Sequence, residues 1–301
     1  MVTRRDLEGT GSPEGLVTRI LKAEPSLKYP VPIEDLAKQL GITEIGELTT
    51  EGFEGCLYAL ESKTRGFILV NKASKGGRRR FTIGHELGHL VIPSHKPVKD
   101  DDRFLCSRED MMCWTAAEQD AYAQMEVEAN KFSALLLMPP PMLRPYLARL
   151  GEPTLSQVLK IHLDFEVSKD AAARAFAQYN DAPIAVAVVR NGIVLRVYKH
   201  IKFPRLATLP KSRVPEGSTY WQGAKTEAGP GEIREVVSGQ WLDSTWGEKM
   251  PELFEQVLHQ QNGFALIMLW PELKEEDEEF DADENRTSKQ RLADRVAKRG
   301  Y

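Results

Sequence analysis

The sequence is poor in cysteine, with only Cys56, Cys106 and Cys113 in 301 residues. So odd and sparse a set cannot build a disulfide framework, and it points to a reducing compartment. No apolar run approaches the roughly 20 residues needed to cross a bilayer. The N-terminal stretch MVTRRDLEGTGSPEG lacks the apolar segment of a secretory signal. Together these absences lead to the expectation of a cytoplasmic protein with no membrane partner. A large excess of one charge is also missing. The formal net charge of −4 argues against a chain dominated by nucleic-acid or membrane-surface binding. No internal repeat is present. What remains is an ordinary globular balance, 42% hydrophobic and 28% charged, at a length that suits two or three domains.

Residues 1–13 are polar and are expected to be disordered. EGLVTRILKAE carries Leu16, Ile20 and Leu21 at helical spacing. YPVPIEDLAKQLGI reads as a second helix, with Pro32 at its first turn and Gly41 as its stop. GCLYALES and RGFILVN flank a polar turn and predict a hairpin. FTIGHELGHLVI reads as a helix, and 94–115 as irregular. TAAEQDAYAQMEVEANKFSALLLM follows as a long helix ended by the prolines at 139–141. Two helices are expected over 154–180, the second capped by Ser168. After Asn180 the composition changes. PIAVAVVRNGIVLRVYK reads as a hairpin turning at Asn191–Gly192. GEIREVVSGQWLDS and GFALIMLWP add strands, and MPELFEQVLHQ is read as a helix. The acidic and then basic end of the chain, 272–301, is read as a charged, solvated tail.

The chemistry concentrates in RRRFTIGHELGHLVIPSH. On a helix, residues four apart share a face, so His85 and His89 can aim two imidazoles at one metal ion. Glu86 lies one position round from His85 and is placed to act as general base on a water at the metal. Gly84 and Gly88 each cost about 1 kcal/mol of helix propensity against Ala, which makes sense if another element packs closely there. Catalytic zinc takes three protein ligands, and several residues compete for the third place. His95 has the histidine spacing of the metzincin pattern, but Ile92 stands where that pattern needs glycine. Glu126 and Glu128, in MEVEANKF, offer carboxylates from a second helix.

The ordered segments PVPIEDLAKQLGI, GFILVN, RRRFTIGHELGHLV, EVEANKFSALLLMP and FEVSKDAAARAF resemble the ImmA/IrrE metallopeptidases of bacteria and their phages, over about residues 15–180. The resemblance implies an α+β fold: a zincin-like metallopeptidase domain of helices with a small antiparallel sheet over 14–150, then a helix-turn-helix-like segment over 151–180. Residues 181–271 match less distinctly and are read as a C-terminal mixed α+β domain with a sensory role. The resemblance also implies Zn2+ (or Mn2+) bound by His85, His89 and Glu126, with Glu86 as base and Glu128 and Asn130 in support. The implied partner is a protein substrate, a helix-turn-helix repressor whose cleavage releases stress or mobile-element genes.

Several further expectations follow. Arg174 is the candidate oxyanion stabiliser, with His162 and Tyr122 as alternatives. GFILVN is a candidate edge for pairing with an extended substrate. Cys106 and Cys113 are read as unpaired buried thiols. The competing readings are a non-enzymatic DNA-binding regulator and a protein-binding regulator with a structural metal site. The first is weakened because 154–180 holds only Lys160, Lys169 and Arg174 as basic residues. The second requires a fourth protein ligand, which Cys106 or Cys113 would have to supply. Oligomeric state is not legible.

Overall fold

The computed structural model describes residues 1–59, 63–97, 103–222, 229–243 and 250–272. The acidic and basic end of the chain from 273 onward lies outside the described residues. None of the helices described is long and apolar enough to cross a membrane.

The N-terminus departs from the expected disorder. Arg4–Leu7 forms a short 3-10 helix, Val2 and Leu7 are buried, and Arg4 donates to the Leu90 carbonyl. Val2 N also donates to Glu24 Oε1 and Arg19 to the Asp6 carbonyl, so two apolar side chains and these hydrogen bonds hold the polar stretch on the core. Helix α1 (Pro13–Ala23) follows, with Ser12 accepting from Gly15 N at its start, and then α2 (Ile33–Gln39).

The first sheet contains β1 (Ile42–Leu48), β2 (Phe53–Ala59), β3 (Gly66–Asn71) and β4 (Arg103–Ser107), in the order β1-β3-β2-β4. The β2–β3 hairpin forms as expected, but β1 runs parallel to β3, so the sheet is mixed rather than purely antiparallel. GFILVN, the candidate substrate edge, is β3 and is paired on both sides. The edge strand nearest the site is β4, paired with β2 and lying in a region expected to be irregular.

Against this sheet lies α3 (Gly76–Val91), buried from Thr82 to Val91. Helix α4 (Ala121–Leu137) packs on α3. It starts six residues later than its apolar pattern suggested, because Asp120 caps it by accepting from Ala123 N. The glycines of α3 do face a close neighbour. A Cβ at Gly84 would sit 2.4 Å from Ser133 Oγ, and one at Gly88 would sit 3.3 Å from Ala129 Cα. The prolines at 139–141 end α4 but also begin α5 (Pro140–Ala148), since proline suits a helix's first turn.

Helices α6 (Leu155–Asp164) and α7 (Lys169–Tyr179) lead to the second sheet: β5 (Ala185–Arg190), β6 (Ile193–Lys199), β7 (Arg234–Val236), β8 (Glu252–His259) and β9 (Phe264–Glu272). Its order is β6-β5-β9-β8-β7, and the short helix α8 (Ser238–Trp241) follows β7. ELFEQVLH, expected to be helical, is β8. Its apolar residues allow either period, and pairing with β7 and β9 decides for the strand. Alternation splits this sheet between two cores. Val186, Val188, Leu258, Leu266 and Met268 join the helical core, while Ala187, Val189, Leu253, Ile267 and Leu269 pack with Phe203 and Trp241.

Candidate metal centre

One turn of α3 sets the geometry. His85 and His89 are fully buried, and their Nε2 atoms lie 3.0 Å apart. Glu126, on α4, brings Oε2 to 3.1 Å from His85 Nε2 and Oε1 to 3.6 Å from His89 Nε2. A tetrahedral site with bonds of about 2.0–2.2 Å to nitrogen and oxygen has edges of roughly 3.3–3.5 Å. The three observed edges scatter around that value.

The hydrogen-bond network fixes which nitrogens are free to bind. Asn130 donates through Nδ2 to the carbonyls of Asp110 and Cys113, so its Oδ1 must accept from His85 Nδ1, at 2.9 Å. His85 Nε2 is then bare. At the other imidazole, His95 Nε2 lies 3.0 Å from Glu128 Oε2 and must donate to that carboxylate. His95 Nδ1 is therefore an acceptor, and it takes the proton of His89 Nδ1 at 3.0 Å. His89 Nε2 is bare as well. Two bare nitrogens and a buried carboxylate facing one another repel unless a cation lies among them, so the donor set fits a divalent metal. Glu126 Oε2 accepts no hydrogen bond within the protein, which is consistent with that role.

The charges follow from the same packing. Burial raises the Glu126 carboxyl, but His85 and His89 outweigh it and hold the group below the ordinary range. Burial lowers His89 to about 4, so it is neutral at neutral pH, as a ligand must be. Burial, then the neighbouring His89, lowers His95 further, to about 2. Glu86 behaves differently. It is fully buried, neither carboxylate oxygen has a hydrogen-bond partner, and burial followed by the Glu126 charge raises it well above the ordinary carboxylate value. It lies against β2, where a Cβ at Gly55 would come within 2.4 Å of its Oε1.

The structure thus brings together His85, His89 and Glu126, with Glu86 beside them and Glu128 and Asn130 behind. His95 lies in the loop after α3, but buried rather than open to solvent. It is a buried link between His89 and Glu128. Cys106 is buried within the same group, its Sγ 3.5 Å from His89 Nε2, while Cys113 is only partly buried. Sequence reasoning missed this place for Cys106 because it missed β4. The available signal was the alternation in RFLCS, which turns Phe104 and Cys106 inward, and Phe104 stacks on His89.

Arg174 is not brought to the cluster. Its guanidinium lies over the Trp114 ring, 3.3 Å from the centroid. Rings connect it to the site: Trp114 neighbours Phe81, which neighbours His85. The α7 face that carries Arg174 turns toward Tyr179 and Tyr198 instead. His162 is equally removed, its Nδ1 donating to the Val167 carbonyl in the turn between α6 and α7. Tyr122 is the alternative that stands near the site. It lies one turn before Glu126, and burial, then the charges of Glu126 and Asp110, raise its phenol, keeping it protonated as a donor.

Comparison with known proteins points to metalloproteases. Residues 55–176 match the family model described as the IrrE N-terminal-like domain. The radiation response metalloprotease IrrE of Deinococcus radiodurans is 32% identical over 125 residues, 42% of this chain and 35% of that protein. Its Deinococcus deserti counterpart is 30% identical over 122 residues, 40% of this chain and 39% of that protein. The chain therefore aligns with little more than a third of either relative. Among solved structures, a Mycobacterium tuberculosis transcriptional regulator superposes with a TM-score of 0.51 at 13% identity, covering 86% of this chain and 75% of that one. At that identity the likeness is one of fold.

Proposed function

We propose, from the match of residues 55–176 to the IrrE N-terminal-like domain and the likeness to the two IrrE metalloproteases, that the protein is a zinc-dependent endopeptidase of the ImmA/IrrE type. One observation carries the reading: beside a complete set of three ligands stands a buried carboxylate, Glu86, with no partner of its own. A purely structural site has no use for such a group, whereas hydrolysis needs a base there. Zinc, or manganese, held by His85, His89 and Glu126 would supply Lewis acidity, polarising the scissile carbonyl and acidifying the attacking water. Glu86 takes the proton of that water as its oxygen bonds to the carbonyl carbon. It returns the proton to the amide nitrogen as the C–N bond breaks. Tyr122, in the role first sought for Arg174, donates to the developing oxyanion. Asn130 and the His95–Glu128 pair hold the two imidazoles in their binding tautomers.

The substrate we propose is a protein presenting an extended segment, in the first instance a helix-turn-helix repressor, as the family resemblance suggests. The segment would add to the outer edge of β4, which among the described residues pairs only with β2. The second sheet, 181–271, would form a regulatory part. The test is to incubate the protein with the repressor encoded beside it, with zinc or manganese, and to compare Glu86→Gln. Cleavage by wild type and none by the variant supports the reading. Equal cleavage by both, or none with any candidate repressor, sinks it.

Cys106 favours a second reading, a regulator whose metal is closed by four protein ligands and has no catalytic role. In that case Glu86→Gln would bind metal and wild type would cut nothing.

A further inference from the structure

Three protein ligands leave a tetrahedral metal one position open, and a hydrolytic site needs that position for water. Here a fourth donor is already beside it. Cys106 Sγ belongs to a group of ligand atoms that all lie within 4.8 Å of one another. With bonds of about 2.3 Å to sulfur and about 2.0–2.1 Å to nitrogen, a tetrahedral edge between them is roughly 3.5 Å. The Cys106 Sγ to His89 Nε2 distance is 3.5 Å. Glu126 Oε2, within that group, and both oxygens of the neighbouring buried Glu86 have no hydrogen-bond partner.

We propose that Cys106 is a detachable fourth ligand that closes the metal site in the resting protein, and that peptide hydrolysis requires β4 to carry it away. The proposal rests on the peptidase reading above. The latch sits on an edge strand of the first sheet. β4 is five residues long, is an edge strand, and has β2 as its neighbour on one side only. It is also the strand along which an extended substrate would pair, so substrate engagement and release of Cys106 act on the same backbone.

Closure is an exchange of a proton for the metal: the Cys106 S–H bond breaks, its proton leaves to water, and the sulfur would join His85, His89 and Glu126 as a ligand. Opening reverses this, the sulfur taking up a proton from water.

Cobalt(II) reads the bond directly, because thiolate ligation adds a near-ultraviolet charge-transfer band that nitrogen and oxygen ligands do not. The full chain, stripped of metal and reloaded with one equivalent of cobalt, should show this band. The band should persist in Cys113→Ser and vanish in Cys106→Ser, with cobalt still bound. Cys106→Ala, which keeps a small apolar side chain in the buried position, guards against a folding defect. The same two Cys106 variants, loaded with zinc, should cleave the repressor faster than wild type. No band in wild type, or a band that survives in both Cys106 variants, overturns the proposal and leaves the Glu86→Gln test of the peptidase reading untouched. Variants that fold but no longer hold cobalt would also overturn it, since Cys106 would then be an obligatory ligand.

Discussion

Adding one methyl group at Gly55 should stop hydrolysis without disturbing the metal. A Cβ there would fall 2.4 Å from Glu86 Oε1 and 2.6 Å from Thr82 Cγ2. Neither distance is tolerable, so something must move. Strand β2 is hydrogen-bonded to β3 on one side and β4 on the other, and α3 is buried along the facing turn. The Glu86 carboxylate, which has no hydrogen bond to hold it, is the group that yields. Reaching ordinary contact near 3.4 Å takes a retreat of about 1 Å, and a displacement of that size costs on the order of a hundredfold in rate, or about 2.7 kcal/mol of barrier. Overpacking should also lower stability by about 1–3 kcal/mol. His85, His89 and Glu126 lie on another face and keep their places. Gly55→Ala should therefore bind zinc within about threefold of wild type, as a chelator competition would measure, while repressor cleavage falls toward the Glu86→Gln level. Wild-type cleavage by Gly55→Ala would refute the claim that β2 positions the base. Loss of zinc would refute the separation of base from ligands.

Glu126→Ala should abolish stoichiometric zinc, whereas His95→Ala should retain it with about 10–100-fold weaker affinity, because His95 acts only through His89; zinc lost only in His95→Ala would reverse the ligand assignment. Metal-free Glu86→Gln should reveal the cost of burying the Glu86 carboxylate. Because the folded value is raised, wild-type stability is full below the unfolded value near pH ~4.3 and falls as the pH climbs toward the raised one. The Tm advantage of Glu86→Gln in chelator should thus be near zero at about pH 4 and grow toward pH 8, and an advantage that is flat with pH would contradict the assignment. In the second sheet, the buried Glu255 accepts from Ser218 Oγ, Thr219 N, Thr219 Oγ1 and Trp241 Nε1. Glu255→Ala strands four donors and should cost about 3–5 kcal/mol, roughly 10 °C in a melting experiment; a loss below about 1 kcal/mol would show that these bonds hold little.

Much of the centre was legible because it is local. The i, i+4 spacing of His85 and His89, the glycines that admit a second helix, and the base beside the first histidine all follow from helix geometry. The strands of the first hairpin and the Asn191–Gly192 turn were legible for the same reason, since their periods and turn residues act within a few positions. The third ligand was not. From the residues alone His95, Glu126 and Glu128 competed, and family resemblance had to favour Glu126. ELFEQVLH failed in the same way, because its apolar residues suit either period and only pairing with β7 and β9 selects the strand.

The sequence by itself determined that His85 and His89 would share one face of a helix with Glu86 one position round from it, since a repeat of 3.6 residues places them so. Tertiary structure alone decided what surrounds them. Packing α4 on α3 brought Glu126 to His85 and His89 and sent Glu128 to His95, and pairing β4 with β2 delivered Cys106 to the same group. It also turned Arg174 onto Trp114. Those choices depend on which faces of distant segments meet, and no spacing within a single segment encodes that.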